Sequence, residues 1–171
     1  MEWIINYVAL GCSAVALILD IVAIALPSWF SVAGLQYGLW KSCTTNNLGR
    51  ENCEDLVFDT FGADLSPFII ATRALTIIGL LLLAASIAMA LLKIFVLKDK
   101  VILSSWAISS ASAAGTLTLV GATVFAVKTI ALSGGKFDAK FDALGVGFRL
   151  AVSAGVIAII AGIIFKLGKN K

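Results

Sequence analysis

The sequence predicts an all-α membrane protein with four transmembrane helices and a small antiparallel β-sheet outside the bilayer. Of its 171 residues, 60% are hydrophobic and only 13% are charged, and the mean hydropathy is +1.03. A soluble domain of this size carries about 25% charged residues, so too few charges are present to cover a soluble surface. Four apolar runs, each long enough to cross a bilayer, supply the predicted helices.

The four apolar runs occupy most of the chain, and charged or helix-ending residues separate them. The predicted spans cover residues 3–27, 68–92, 101–127 and 143–165. Pro27 and Pro67 bound the longest connection, because proline interrupts the hydrogen bonding of a helix. These spans leave no room for a separate soluble domain, so we expect a single tetraspan domain over residues 1–171.

The distribution of charges predicts the orientation of the spans. The segment 28–67 holds two basic and five acidic residues. The turn at 93–100 and the C-terminal tail hold one acid, Asp99, and six lysines: Lys93, Lys98, Lys100, Lys166, Lys169 and Lys171. Since basic residues concentrate on the cytoplasmic side, we expect both termini in the cytoplasm. Loops 28–67 and 128–142 are then expected outside the cell.

The composition also argues against several classes of function. The chain has no histidine, which removes Ser-His and Cys-His nucleophile pairs and nearly all zinc sites. Gly145-Val146-Gly147 opens a predicted span and lacks the third glycine of a dinucleotide site, and Gly134-Gly135-Lys136 lacks the spacing of a P-loop. The net charge of +3 leaves no basic stripe for nucleic acid. We therefore expect no enzyme activity, no cofactor, no metal site, no small-molecule substrate and no nucleic-acid partner.

The long outer loop has the composition of a small β-sheet. Residues 29–40 are rich in aromatic and β-branched side chains, and turn-forming residues follow them. Two interpretations of Trp29 and Trp40 stay open at this point. They anchor the chain at the membrane interface, pack the sheet onto the helix ends, or do both.

Three cysteines provide an independent test of the orientation. Cys43 and Cys53 lie ten positions apart in the outer loop, where a hairpin would bring them together. We expect these two to form a disulfide in the oxidising compartment and Cys12, within the first span, to stay free. Such a crosslink would stabilise a sheet with little core of its own by about 2–3 kcal/mol.

The same residues resemble a known superfamily, that of the claudins and the peripheral myelin and epithelial membrane proteins. Its W–GLW–C–C signature is reproduced here by Trp29, Gly38, Leu39, Trp40, Cys43 and Cys53. Arg73, in the second span, lies in a run that also looks like many claudins. The resemblance implies a left-handed four-helix bundle topped by an extracellular antiparallel sheet. It further implies a plasma-membrane protein that associates with like molecules in its own membrane or in the opposite one.

The resemblance implies work at cell–cell contacts and leaves the branch of the superfamily open. We expect adhesion and junction assembly, with a paracellular barrier or a cation-favouring pore. Glu54 and Asp55 directly follow the second cysteine and are the expected pore-lining acids, against the alternative of a solvated acidic loop. An auxiliary subunit of an ion channel or receptor is an alternative function, as is a pore-less membrane-organising protein of the epithelial-membrane type. The short segment 29–40 looks more like that last branch.

Charged residues inside the spans predict an ion pair. Asp20, Arg73 and Arg149 lie at similar depths in the outer part of the bilayer. A carboxyl group at this depth needs a partner, a water-filled cavity or a bound proton. Because the depths match, we expect Asp20 to pair with Arg73 as first choice and Arg149 as second. The inner parts of the spans hold no chain of titratable groups, which argues against a proton or ion relay.

Small residues recur every four positions in the third and fourth spans. One stripe is Ala107, Ala111 and Gly115, and the other is Ala154, Ala158 and Gly162. Such stripes let helix backbones approach closely. We expect them to pack within the bundle rather than to form an oligomer interface.

Overall fold

The computed structural model describes residues 2–32, 34–45, 51–56, 66–96, 101–132 and 143–169. Within these ranges the chain forms four long helices and one antiparallel sheet of four short strands, in the order α1, β1 to β4, α2, α3, α4. The helices are α1 (Glu2–Ala25), α2 (Ser66–Phe95), α3 (Val101–Leu132) and α4 (Val146–Lys169). The predicted fold class is confirmed.

Each helix contains a run that is long and apolar enough to cross a membrane: Ile4–Ala25, Pro67–Phe95, Ser105–Ala131 and Val146–Gly168. Most helix bounds differ from the predicted spans by a few residues, and two of these differences bear on the connection between α3 and α4. α3 continues beyond the predicted end at residue 127, and α4 starts at Val146 rather than at residue 143. The second difference arises because residues 143–145 pair with the first strand instead of opening the helix.

The strands lie at the end of the bundle where α1 and α3 end and α2 and α4 begin, which we call the sheet end. They are β1 (Phe30–Val32), β2 (Leu35–Tyr37), β3 (Lys41–Thr45) and β4 (Glu51–Asp55). Their spatial order is also β1-β2-β3-β4, and each pairs antiparallel with the next. Gly34 has a φ of 84° in the β1–β2 turn, a conformation that glycine adopts without steric cost.

Small residues bring the helices together in the middle of the bundle. The most extensive contacts join α2 with α3, α1 with α4, and α3 with α4. A Cβ atom added to Gly115 would lie 2.5 Å from the carbonyl oxygen of Gly155, and one added to Gly162 would lie 2.5 Å from Ser112 Oγ. The predicted small-residue stripes therefore face neighbouring helices, which confirms their role in packing within the bundle.

The core changes character along the bundle axis. At the sheet end it is aromatic, with the buried residues Trp29, Phe30, Leu39, Phe68 and Phe125. In the middle it is built mainly from Ala16, Leu83, Ala114 and Ala158. Large side chains fill the space between the sheet and the helix ends, whereas small residues let the helices pack closely in the middle.

Candidate functional site

Trp29 is the buried centre of the sheet end, with 0% of its surface exposed. Its indole Nε1 donates a hydrogen bond to the carbonyl oxygen of Ala23 at 2.7 Å. In an uninterrupted helix that oxygen accepts from the amide four residues later, but Pro27 has no N–H to donate. The indole thus satisfies an acceptor that the proline leaves without its usual donor. The ring also meets Phe125 edge-on, with a centroid distance of 5.2 Å.

The main chain around Trp29 is bonded on both sides. The amide of Trp29 donates to the carbonyl of Tyr37, and the amide of Gly145 donates to the carbonyl of Trp29, both at 2.9 Å. The amide of Gly147 donates to the carbonyl of Ser28 at 2.9 Å. A Cβ atom added to Gly147 would lie 2.7 Å from Trp29 Cδ1. Glycine is therefore required where α4 begins, because the indole ring of Trp29 packs directly against it.

The Gly38-Leu39-Trp40 part of the signature forms the connection between β2 and β3. A Cβ atom on Gly38 would lie 2.5 Å from the Cα of Pro27, so this position also needs close backbone approach. Leu39 is 0% exposed and belongs to the aromatic cluster. Trp40 is 42% exposed. Of the two tryptophans, Trp29 packs the sheet onto the helix ends, whereas Trp40 lies at the surface.

Arg73, in the second turn of α2, connects that helix to the sheet. Its Nε donates to the carbonyl of Leu39 at 2.7 Å, and its Nη2 donates to the carbonyl of Leu56 at 3.3 Å. Its Cζ lies 4.7 Å from the centroid of the Trp40 ring, within the range of a cation–π contact. The amide of Leu56 in turn donates to the carbonyl of Trp40 at 2.8 Å. One guanidinium thereby holds the backbone just before β3 and just after β4.

The predicted disulfide between Cys43 and Cys53 is present and joins β3 to β4. Cys12 is free, as expected. The two bridged cysteines lie directly opposite each other in the strand register. Trp29 and Arg73 hold the sheet on the bundle, and the disulfide links two strands within the sheet.

The two predicted acids, Glu54 and Asp55, lie on β4 and are both exposed. Because successive side chains of a strand point to opposite faces, the two carboxylates do not share a surface. Asp55 lies opposite Lys41 in the register and forms an ion pair with it, Nζ to Oδ1, at 3.7 Å. Glu54 lies opposite Ser42 on the other face. The strand geometry therefore separates two residues that the sequence suggested as one acidic site.

The expected ion pair of Asp20 is not formed, which corrects the sequence-based prediction. Asp20 is 1% exposed, and its Oδ1 has no hydrogen-bond partner within the part of the chain that the structure describes. Arg73 directs its guanidinium to the sheet carbonyls instead. Arg149 is exposed on α4, so it does not reach the bundle interior. Asp20 and the two arginines lie at similar depths along their helices, but their side chains face different directions.

Parts of both predicted loops lie outside the described residues, namely 33, 46–50, 57–65 and 133–142. Among the residues that the structure does describe, several that hold the site were not predicted from the sequence. Phe125 and the carbonyl of Leu56 left no recognisable signal. The pair Gly145 and Gly147 did, because glycines at the start of a span mark close backbone approach as readily as a nucleotide site.

Comparison with known proteins agrees with this geometry. The family model described as the PMP-22/EMP/MP20/Claudin family matches residues 4–165. The match runs from the first turn of α1 into the last part of α4 and includes the Trp29, Arg73 and disulfide contacts. A search of the curated proteins finds no match.

Proposed function

The chain belongs to the PMP-22/EMP/MP20/Claudin family, and on this basis we propose that it acts at cell–cell contacts of the plasma membrane. In this proposal both termini are cytoplasmic, and the sheet end faces the extracellular space. The role is non-enzymatic, and its partners are the bilayer and like molecules in the same or the opposite membrane.

The observation that carries the proposal is the way the sheet is presented. All five residues of β4, the last strand of the sheet, are exposed. The sheet to which β4 belongs is nevertheless held in place by Trp29, Arg73 and the disulfide. A surface whose backbone is fixed before binding loses less conformational entropy on association than a flexible loop. The charge distribution of the sequence supports the orientation, since the acidic loop 28–67 is the expected outer side.

Mixed cultures test this proposal. Two claudin-poor cell populations express the protein with different fluorescent tags, and a third population expresses none. We expect enrichment at contacts between expressing cells and not at contacts with the third population. A Cys43→Ala, Cys53→Ala double variant that still reaches the surface should show weaker enrichment, because the sheet loses its crosslink. The matched control is Lys166→Gln, at the opposite end of the bundle, which should leave enrichment unchanged.

Absence of enrichment, together with co-purification of an ion channel or receptor from the same membranes, would contradict the contact role. It would support the auxiliary-subunit function instead. Uniform distribution without such a partner would support a pore-less membrane-organising protein.

The geometry of β4 favours a more specific candidate, a cation-favouring paracellular passage lined by Glu54. The described part of the sheet gives Glu54 no cationic neighbour comparable to Lys41, which offsets the charge of Asp55. An uncompensated carboxylate in a narrow passage raises the local concentration of cations.

Dilution potentials of sodium chloride across epithelial monolayers test this passage. Glu54→Gln should lower the preference for sodium, whereas Asp55→Asn should have a smaller effect. Glu51→Gln, on the same face as Asp55, is the matched control. An equal or larger effect of Asp55→Asn would contradict the assignment to the Glu54 face. If the wild-type protein leaves conductance unchanged, the passage does not exist.

A further inference from the structure

A groove opens between α3 and α4 at the sheet end of the bundle. It encloses about 270 Å³, whereas a single water molecule needs only about 10–15 Å³. Thr123, Ala126 and Val127 line it from α3, and Phe148 and Val152 line it from α4. The groove therefore has room for a chain of many atoms, and its walls are almost wholly apolar.

The groove faces the surroundings of the bundle at membrane depth. Thr123 and Val127 are exposed, and every lining residue lies within the candidate spans Ser105–Ala131 or Val146–Gly168. The hydroxyl of Thr123 already donates to the carbonyl of Leu119 in its own helix, so it offers no unsatisfied donor to water. The natural contents of an apolar groove at this depth are hydrocarbon chains.

Arg149 on α4 supplies a charge close to the residues that line this groove, although it does not line the groove itself. It is exposed, it is next to Phe148, and it precedes Val152 by one turn. It lies about 4.5 Å along the axis from the first residue of α4. Within the described chain its guanidinium has no ion-pair partner. A cationic side chain inside a span is expected to reach an anion or the headgroup layer.

The neighbouring cation, Lys128, does not share this position. It follows Gly121 by two helical turns, and a Cβ atom on Gly121 would lie 3.2 Å from the Cβ of Leu75. Lys128 thus lies on the side of α3 that faces α2, whereas the groove lies on the side that faces α4. Both cations are exposed at the same end of α3 and α4, so Lys128 is a matched control for Arg149.

We propose that this groove is a phospholipid-binding site, with one acyl chain along the groove and the lipid phosphate accepting hydrogen bonds from Arg149. The ligand combines a hydrocarbon chain with an anion, which matches a groove with apolar walls and the exposed Arg149 next to one of its lining residues, Phe148. Arginine binds phosphate oxygens through two parallel N–H donors, which favours a phosphate over a neutral headgroup. An apolar helix of a second copy would fill the groove and leave Arg149 without an anion. The site does not depend on the proposed role at cell contacts.

Native mass spectrometry of the detergent-purified protein tests the phosphate contact. The probes are a phosphatidylcholine and a diacylglycerol with the same two acyl chains. We expect retention of the phosphatidylcholine and far less of the diacylglycerol. Arg149→Gln should lower phosphatidylcholine retention about tenfold, equivalent to about 1.4 kcal/mol, and remove the difference between the probes. Lys128→Gln should retain the lipid as the wild type does.

A second pair of variants tests the groove itself. Thr123→Phe places a ring in the groove and should lower retention of both probes. Thr116→Phe makes the same change two turns earlier on the exposed face of α3, outside the groove, and should not. Thermal unfolding of each variant reports whether the fold is retained, and the exposed Arg149 variant keeps the test valid if Thr123→Phe unfolds.

Three results would overturn the proposal. Equal retention of the two probes by the wild type would remove the role of the phosphate. Unchanged retention in Arg149→Gln would remove the role of that residue. A dimer mass that Thr123→Phe abolishes, without any change in lipid, would assign the groove to a second copy of the chain.

Discussion

Small residues hold the middle of the bundle together, whereas large aromatic side chains hold the sheet end together. In the middle, helices approach until the backbone of Gly115 contacts that of Gly155. At the sheet end, the large rings of Trp29 and Phe125 fill the space between helices and strands. In the middle, a larger side chain at Gly115 would collide with the neighbouring helix. At the sheet end, a smaller side chain at Trp29 or Phe125 would leave a cavity.

This difference also separates two kinds of hydrogen bonding. The buried hydroxyls of the bundle mostly donate to carbonyls of their own helix, as Ser13 and Thr118 do. Those bonds need no partner from elsewhere in the fold. At the sheet end, Trp29 and Arg73 donate across elements to backbone carbonyls. Contacts of the second kind determine where the sheet sits, and the substitutions below test them against the packing of the middle.

Removing the indole of Trp29 should give the largest loss of stability. Trp29→Ala leaves a cavity in the aromatic cluster and leaves the carbonyl of Ala23 without its donor. We expect the free energy of unfolding in detergent to fall by about 3–5 kcal/mol. The control is Trp106→Ala on the outer face of α3, where the ring is 60% exposed and the change should stay within about 0.5 kcal/mol. Equal losses at the two positions would show that Trp29 is not the centre of the sheet end.

Adding one methyl group to the middle of the bundle should be the next largest effect. In Gly115→Ala the new Cβ would lie 2.5 Å from the oxygen of Gly155, which forces the helices apart and costs about 1–3 kcal/mol. Gly11→Ala on α1 meets nothing within 4 Å and should instead stabilise the helix by up to about 1 kcal/mol. Thermal unfolding of both variants measures the contrast. A stable Gly115→Ala protein would mean that α3 and α4 are not in backbone contact.

Changing Arg73 should loosen the sheet more than it destabilises the bundle. Lysine keeps the charge but loses the planar group that donates to Leu39 and Leu56 together, so we expect Arg73→Lys to cost about 1 kcal/mol. Hydrogen exchange should speed up at the amide of Leu56, which is bonded to Trp40, and stay slow in the middle of the helices.

Arg149→Lys, at an exposed position on α4, is the control for the Arg73 variant. It should leave both unfolding and sheet exchange unchanged. If Arg73→Lys behaves like this control, the guanidinium contacts do not hold the sheet.

The sequence predicted the features that depend on repeating patterns and on the spacing of two cysteines. Apolar length placed the four spans, the small-residue stripes predicted close packing, and the spacing of Cys43 and Cys53 predicted the disulfide. Each of these depends on a local pattern. The late start of α4 was missed, because strand pairing at 143–145 is not a property of that segment alone.

The contacts of the site could be predicted only as a set of residue types. Glu54 and Asp55 are adjacent in sequence, and it is the register with β3 that pairs Asp55 with Lys41 and turns Glu54 to the other face. Likewise, the depths of Asp20 and Arg73 agree, but the direction of Arg73 is decided by two carbonyls supplied by the sheet. Direction depends on tertiary packing, which helical spacing does not specify.

Neutralising Asp20 should have the smallest effect on thermal stability. Breaking an ion pair would lower the stability, whereas we expect this change to leave it the same or raise it. Burying a carboxylate without a partner costs free energy, and Asn keeps its shape while removing the charge. Because Asp20 Oδ1 has no hydrogen-bond partner in the described chain, we expect Asp20→Asn to leave thermal stability unchanged or raise it by up to about 1 kcal/mol. Asp55→Asn, at the exposed pair with Lys41, is the control and should cost at most about 1 kcal/mol. A loss of about 3–5 kcal/mol for Asp20→Asn would instead show that the carboxylate has a cationic partner in the folded protein. An ion pair would then stabilise the bundle in addition to the packing of its middle and the hydrogen bonds of its sheet end.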